Sequence, residues 1–144
     1  MLKPLSILGY IGMVGGLLGL LALRNLLSTS PLVIALQGVA LLFMLWARVT
    51  FGRRSFHFAA NPTQGGLVTS GPYRYIRHPI YAAICLFTGA GVVAHWSWSS
   101  GLLGGVILGS AVTRIICEEA LVATRYPEYV QYKARTWRMI PYVY

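Results

Sequence analysis

The chain has 144 residues, 56% of them hydrophobic, with a mean hydropathy of +0.63 and a net charge of +9 from 12 Lys and Arg against 3 Asp and Glu. Only 10% of its residues are charged, against about a quarter in soluble domains, which excludes an ordinary soluble fold and points to a single integral-membrane domain. The basic excess does not mark a nucleic-acid binder. Lys and Arg gather where apolar runs end, where attraction to anionic headgroups accounts for them.

A helix needs about 20 largely apolar residues to cross the hydrocarbon while satisfying its own backbone hydrogen bonds. Four runs meet that need, at about 5–24, 31–51, 79–96 and 98–117, so the expected fold is an all-α membrane bundle of about four spans. The first run is long, and 25–30 holds no small-x-small cleavage site, so it reads as a retained helix rather than a signal peptide. It carries Gly12-x-x-x-Gly16 and Gly15-x-x-x-Gly19, and the fourth run carries Gly101-x-x-x-Gly105 and Gly105-x-x-x-Gly109. That spacing lets helix backbones approach closely.

Ser30-Pro31 and His78-Pro79 read as helix starts, with proline at the first helical position, where its missing N–H costs nothing. Between spans two and three lies a long polar connection, 52–78, and connections of that length are more often functional than idle. His57 and His95 are isolated and need no function, His95 marking the outer boundary. The link around Trp96 and Trp98 is short and predicts an antiparallel hairpin with both indoles at the interface. Cys85 and Cys117 fall inside spans without CxxC pairing or histidines at ligand spacing, which reads as inert thiols and no metal site.

After span four come Glu118-Glu119, then a short interfacial helix starting at Pro127, with Tyr129, Tyr132, Lys133 and Trp137 suited to the headgroup layer. The bias of Lys and Arg places both termini in the cytoplasm, with Lys3, Arg48, Arg53, Arg54, Arg74, Arg77, Arg125, Lys133, Arg135 and Arg138 on that side, Arg24 outside and Arg114 in or near the last span.

Two features carry chemistry. All three acidic residues, Glu118, Glu119 and Glu128, share one short window, and carboxylates so sparingly used at a membrane boundary point to a cationic or hydroxyl-bearing partner. Adjacent helix positions point about 100° apart, so the pair cannot share one task. Arg114 and Glu118 form an i,i+4 pair, which makes Glu118 a counter-ion and leaves Glu119 freer to face a ligand. The second feature is Arg77-His78 ahead of Pro79, where unpaired N–H groups favour an anion and an arginine can hold a carboxylate through two parallel hydrogen bonds.

The run Leu67-Val68-Thr69-Ser70-Gly71-Pro72-Tyr73-Arg74-Tyr75-Ile76-Arg77-His78-Pro79-Ile80-Tyr81, the Glu118-Glu119 pair and Tyr129-x-x-Tyr132-x-x-Arg135-x-x-Arg138-x-Ile140-Pro141 together resemble the isoprenylcysteine carboxyl methyltransferase family. These are small integral-membrane enzymes using S-adenosylmethionine, with phospholipid methyltransferases as relatives. The resemblance implies a cofactor pocket built by Arg77, His78, Pro79 and Tyr81 with Leu67, Val68 and Tyr73, closed by Glu118 or Glu119, and residues 65–81 and 114–141 as the site region. It implies Arg135 near a substrate carboxylate, with Arg77 and His78 beside the reaction. The acceptor is then a lipophilic small molecule or prenylated substrate entering from the membrane lipids, in a bacterial-type inner membrane. Val122, Tyr126-Pro127 and Ala82-Ala83 depart from the family pattern.

Methyl transfer to an ionised carboxylate needs alignment and dryness rather than a base. An amine or thiol acceptor needs one, and His78 is the first candidate. Two other readings stand beside this one. Steroid and sterol reductases share a similar Arg-His-Pro-x-Tyr block and C-terminal ending, which makes an NADPH-dependent membrane lipid reductase the alternative, with Arg53-Arg54 gripping a ribose phosphate. A non-catalytic membrane subunit is the other.

Overall fold

The computed structural model describes residues 2–52 and 66–144. Arg53, Arg54 and His57 lie outside the described residues. Among the described residues five helices follow in order: α1 Leu2–Ala22, α2 Pro31–Phe51, α3 Pro79–Ala94, α4 Trp98–Arg125 and α5 Tyr129–Arg135, with a 3-10 turn at Gly71–Arg74 before α3. No strand occurs among the described residues, only an isolated parallel bridge between Ile76 and Trp137.

Three helices, α1, α2 and α4, are long and apolar enough to cross a membrane. The expected fourth span, α3, is apolar but has 16 residues, about 24 Å at 1.5 Å per residue, short of a hydrocarbon core of about 30 Å. The protein is an all-helical integral membrane protein. Its outer surfaces agree with that, since Leu8, Leu42, Val49, Val93 and Leu102 are exposed on the helices. At 28 residues α4 runs well past the expected end at 117, so Glu118 and Glu119 belong to the helix itself.

The helix boundaries have local causes. Pro31 and Pro79 stand at the first positions of α2 and α3 as the sequence predicts. Helix α4 opens with a reciprocal box in which Ser97 Oγ accepts from Ser100 N at 3.1 Å and Ser97 N donates to Ser100 Oγ at 2.9 Å. It stops because Tyr126 precedes Pro127 and is driven to an extended conformation, φ −122° and ψ 99°. The last helix begins at Tyr129, two residues beyond Pro127, and ends at Arg135, so Trp137 lies outside it, on the extended stretch that meets Ile76.

Helices α1 and α4 pack antiparallel through glycines. A Cβ on Gly9 would stand 2.9 Å from Arg114 Cγ, one on Gly16 2.6 Å from Ile107 Cγ1 and one on Gly19 3.0 Å from Leu103. The contact face is therefore Gly9, Gly12, Gly16 and Gly19. Gly15, Gly105 and Gly109, predicted to pack, meet nothing within 4 Å. Across α2 and α3, buried Gln37 Nε2 donates to Leu26 O at 2.7 Å and Phe87 O at 3.2 Å, bonds worth about 0.6–2 kcal/mol each within a membrane. The bundle core joins Met13 and Leu20 of α1 to Tyr81 and Val92 of α3 and Ile107, Ala111 and Ile115 of α4.

The start of α1, the end of α2, the start of α3 and the end of α4 share one end of the bundle. His95, whose Nε2 lies 2.9 Å from Leu27 O, and the exposed Trp96 and Trp98 mark the other. At the first end the C-terminal stretch is fastened onto the segment before α3: Arg77 N donates to Trp137 O at 2.8 Å, His78 N to Arg138 O at 2.9 Å and Trp137 N to Tyr75 O at 3.2 Å.

Candidate functional site

Segment 72–78 is a partition. Tyr73, Arg77 and His78 face a polar pocket of about 120 Å³, while Pro72, Tyr75 and Ile76 face an apolar chamber of about 590 Å³. The polar pocket is completed by Phe51, Leu67 and Val68, by Glu118, Glu119, Val122 and Tyr126, and by Tyr129 and Tyr132 of α5. The apolar chamber is walled by Phe43 and Trp46 of α2, Ala82, Cys85 and Leu86 of α3, Leu108 of α4 and Met139, Ile140 and Pro141 of the tail.

The two adjacent carboxylates are held differently. Glu119 is 6% exposed, and both its oxygens are taken: Arg77 Nε lies 2.8 Å and His78 Nε2 3.3 Å from Oε1, and Arg138 Nε lies 3.1 Å from Oε2. Arg77 also reaches the α5 end, its Nη1 donating to Lys133 O at 3.2 Å and to the Thr136 carbonyl. Glu118 is 26% exposed and is gripped mainly through one oxygen. Tyr81 OH donates to Oε1 at 2.5 Å and Arg114 Nη2 approaches Oε1 at 3.2 Å. Its Oε2 faces His78 Nδ1 at 3.7 Å. The expectation that Glu119 is the freer carboxylate is reversed. The sequence spacing identified Arg114 as partner of Glu118, but gave no sign that Arg77, His78 and the distant Arg138 converge on Glu119.

An arginine inside a span costs about 2.5–3.5 kcal/mol on insertion scales. Arg114 offsets this with Tyr81 OH at 2.7 Å from Nε, Ser6 O at 3.0 Å from Nη1, the Glu118 pair, and the faces of Tyr10 and Tyr81 at 5.3 and 5.9 Å. Three phenols outside the spans, Tyr73, Tyr129 and Tyr132, are kept protonated. Burial, with nearby negative charge, pushes Tyr73 and Tyr129 well above the usual tyrosine range, and burial does the same for Tyr132. Tyr132 OH donates to Tyr73 O at 2.7 Å.

Of the residues singled out in the sequence, Leu67, Val68, Tyr73, Arg77, His78, Glu118 and Glu119 all line the polar pocket. Tyr81 stands behind it, its hydroxyl on Glu118, and Pro79 is a buried support at the start of α3. Arg135 is exposed on α5 and is not among the lining residues. Tyr129 and Tyr132, expected in the headgroup layer, are pocket walls. Their i,i+3 spacing, which puts both on one helix face, is the signal for it.

The bundle thus carries an ionic, aromatic-walled pocket at one end with an apolar chamber behind it. The model of the phospholipid methyltransferase family matches residues 30–129, more than half of the chain. The chain belongs to that family and is a membrane methyltransferase, which decides against the reductase reading. The match runs from the start of α2 to the first residue of α5. No curated protein and no solved structure matches the chain.

Proposed function

We propose that the protein transfers a methyl group from S-adenosylmethionine to the polar head of a lipophilic acceptor, with the polar pocket taking the donor's charged end and the apolar chamber taking the acceptor's hydrocarbon. The observation that carries this reading is the partition at 72–78, which sets the two cavities back to back. Bound S-adenosylmethionine supplies a methyl on a sulfonium.

The residues present suit that group. Glu118, a partly exposed carboxylate lining the pocket, matches an ammonium or ribose hydroxyls, and the rings of Tyr73, Tyr126, Tyr129 and Tyr132 suit a sulfonium cation. A volume of about 120 Å³, below the roughly 300–1,000 Å³ of whole-ligand sites, suits the amino-acid end rather than the entire nucleoside. Glu119 fastens Arg77, His78 and Arg138 into the wall.

An isoprenylcysteine-like carboxylate is the favoured acceptor. It arrives ionised, and His78 has its two ring nitrogens turned toward Glu118 and Glu119, a poor arrangement for a free base. Exposed Arg135 then meets the acceptor carboxylate from outside the donor pocket, and the site end of the bundle faces the cytoplasm. The second reading, methylation of a phospholipid amine, is favoured by the family match and by a partly exposed Glu118 that attracts a cationic headgroup.

Membranes with and without the protein, given methyl-labelled S-adenosylmethionine, separate these readings. Label in a base-labile ester is expected, label in a stable lipid amine establishes the second reading, and no transfer to any lipid acceptor contradicts both. Arg135→Ala is expected to raise the acceptor KM with donor affinity unchanged.

A further inference from the structure

Helix α1 lies outside the matched residues 30–129, and the proposed transfer gives it no part. Yet the buried guanidinium of Arg114 ties it to the pocket. Arg114 joins three helices at once: Nη1 donates to Ser6 O of α1 at 3.0 Å, Nε to Tyr81 OH of α3 at 2.7 Å, and Nη2 to Glu118 Oε1 of its own helix at 3.2 Å. Its cationic carbon stands over the Tyr10 ring of α1 at 5.3 Å. Tyr81 OH, which receives from Arg114, in turn donates to the same Glu118 oxygen at 2.5 Å.

The grip is one-sided. Arg114 and Tyr81 converge on Oε1, while Oε2 lies on the His78 side. A counter-ion serving only to neutralise a buried arginine has no need of a hydroxyl bridging the two groups, nor of a third partner from another helix. Gly9 is what lets α1 come this close. A Cβ there would lie 2.9 Å from Arg114 Cγ and 3.1 Å from Ser110 O, neither of which is a mobile side-chain end, whereas Gly15 on the same helix meets nothing within 4 Å.

We propose that α1 and Arg114 position the methyl-donor pocket: Ser6, Gly9 and Tyr10 seat the guanidinium, and Arg114 with Tyr81 fixes which oxygen of Glu118 the pocket receives. This rests on the polar pocket being the donor site. Arg114 touches neither donor nor acceptor in this scheme and acts through Glu118 alone.

The test uses the full chain in detergent micelles and equilibrium binding of labelled S-adenosylmethionine. Gly9→Ala and Arg114→Lys, the second keeping the cation but losing the fork that reaches three partners, are each expected to weaken donor binding about tenfold while leaving the acceptor KM within twofold. Gly15→Ala should change neither. Action through Glu118 predicts non-additivity: Gly9→Ala combined with Glu118→Gln should bind donor no more weakly than Glu118→Gln alone. Multiplying losses, or full donor affinity in folded Gly9→Ala, overturn the positioning role while a wild type that binds donor keeps the pocket reading. A wild type that binds no S-adenosylmethionine overturns the pocket reading and this role with it. Should Arg114→Lys fail to fold, Gly9→Ala and Tyr10→Leu carry the same cycle.

Discussion

Glu118 and Glu119 are neighbours on one helix, yet they belong to different machines. Glu119 turns toward the tail and the segment before α3 and is saturated by Arg77, His78 and Arg138. Glu118 turns toward the bundle interior, is pinned by Tyr81 and Arg114, and keeps more than four times the exposure, 26% against 6%. The roughly 100° between adjacent helical positions is what allows this split. One carboxylate builds the wall and the other looks out through it.

The largest effect that should break the contrast is Glu119→Ala. Removing one partner of a buried, hydrogen-bonded ion pair costs about 3–5 kcal/mol, because Arg77 keeps its burial and loses its counter-charge while His78 loses a hydrogen-bond partner. Thermal unfolding in detergent should show a steep drop, and methyl transfer should vanish. Next comes Glu118→Gln, which keeps the side chain's shape and one acceptor oxygen. Its stability loss should stay near the roughly 1.5–3 kcal/mol of a hydrogen bond to a charged group, while donor affinity falls tenfold or more. Smaller again is Arg138→Ala, since that arginine is 30% exposed and such pairs give about 0–1 kcal/mol. Limited proteolysis should then find residues 136–144 more readily cut, with donor binding reduced less than threefold. The smallest effect on function belongs to Ser97→Ala at the far end of α4. Losing that cap should cost about 1 kcal/mol in the same melting experiment and leave methyl transfer unchanged.

The sequence showed most of the fold and the pocket's raw materials. Apolar runs placed α1, α2 and α4, prolines placed the starts of α2 and α3, and Arg77, His78, Glu118 and Glu119 stood out because charges are rare in such a chain. What it did not show was partnership across distance. The i,i+4 spacing revealed the Arg114–Glu118 pair, since helix geometry alone dictates it. Arg77, His78 and Arg138 reach Glu119 only after the tail lies alongside residues 75–78, a parallel contact with no local signature. The glycine pattern was half informative for the same reason: spacing marked Gly12, Gly16 and Gly19 as contact positions, but only packing reveals that Gly9 joins them and that Gly15, Gly105 and Gly109 face no neighbour. The apolar run stops near residue 117, but the backbone continues helical until Pro127 forbids it, which is what the i,i+4 pairing of Arg114 with Glu118 requires.

Equilibrium binding of labelled S-adenosylmethionine to the purified wild type and to Glu118→Gln, with melting temperatures taken alongside, tests the central claim most directly. Saturable binding by the wild type is expected, with at least a tenfold loss in a Glu118→Gln protein that still melts cooperatively. Equal affinity in the two proteins would contradict the claim.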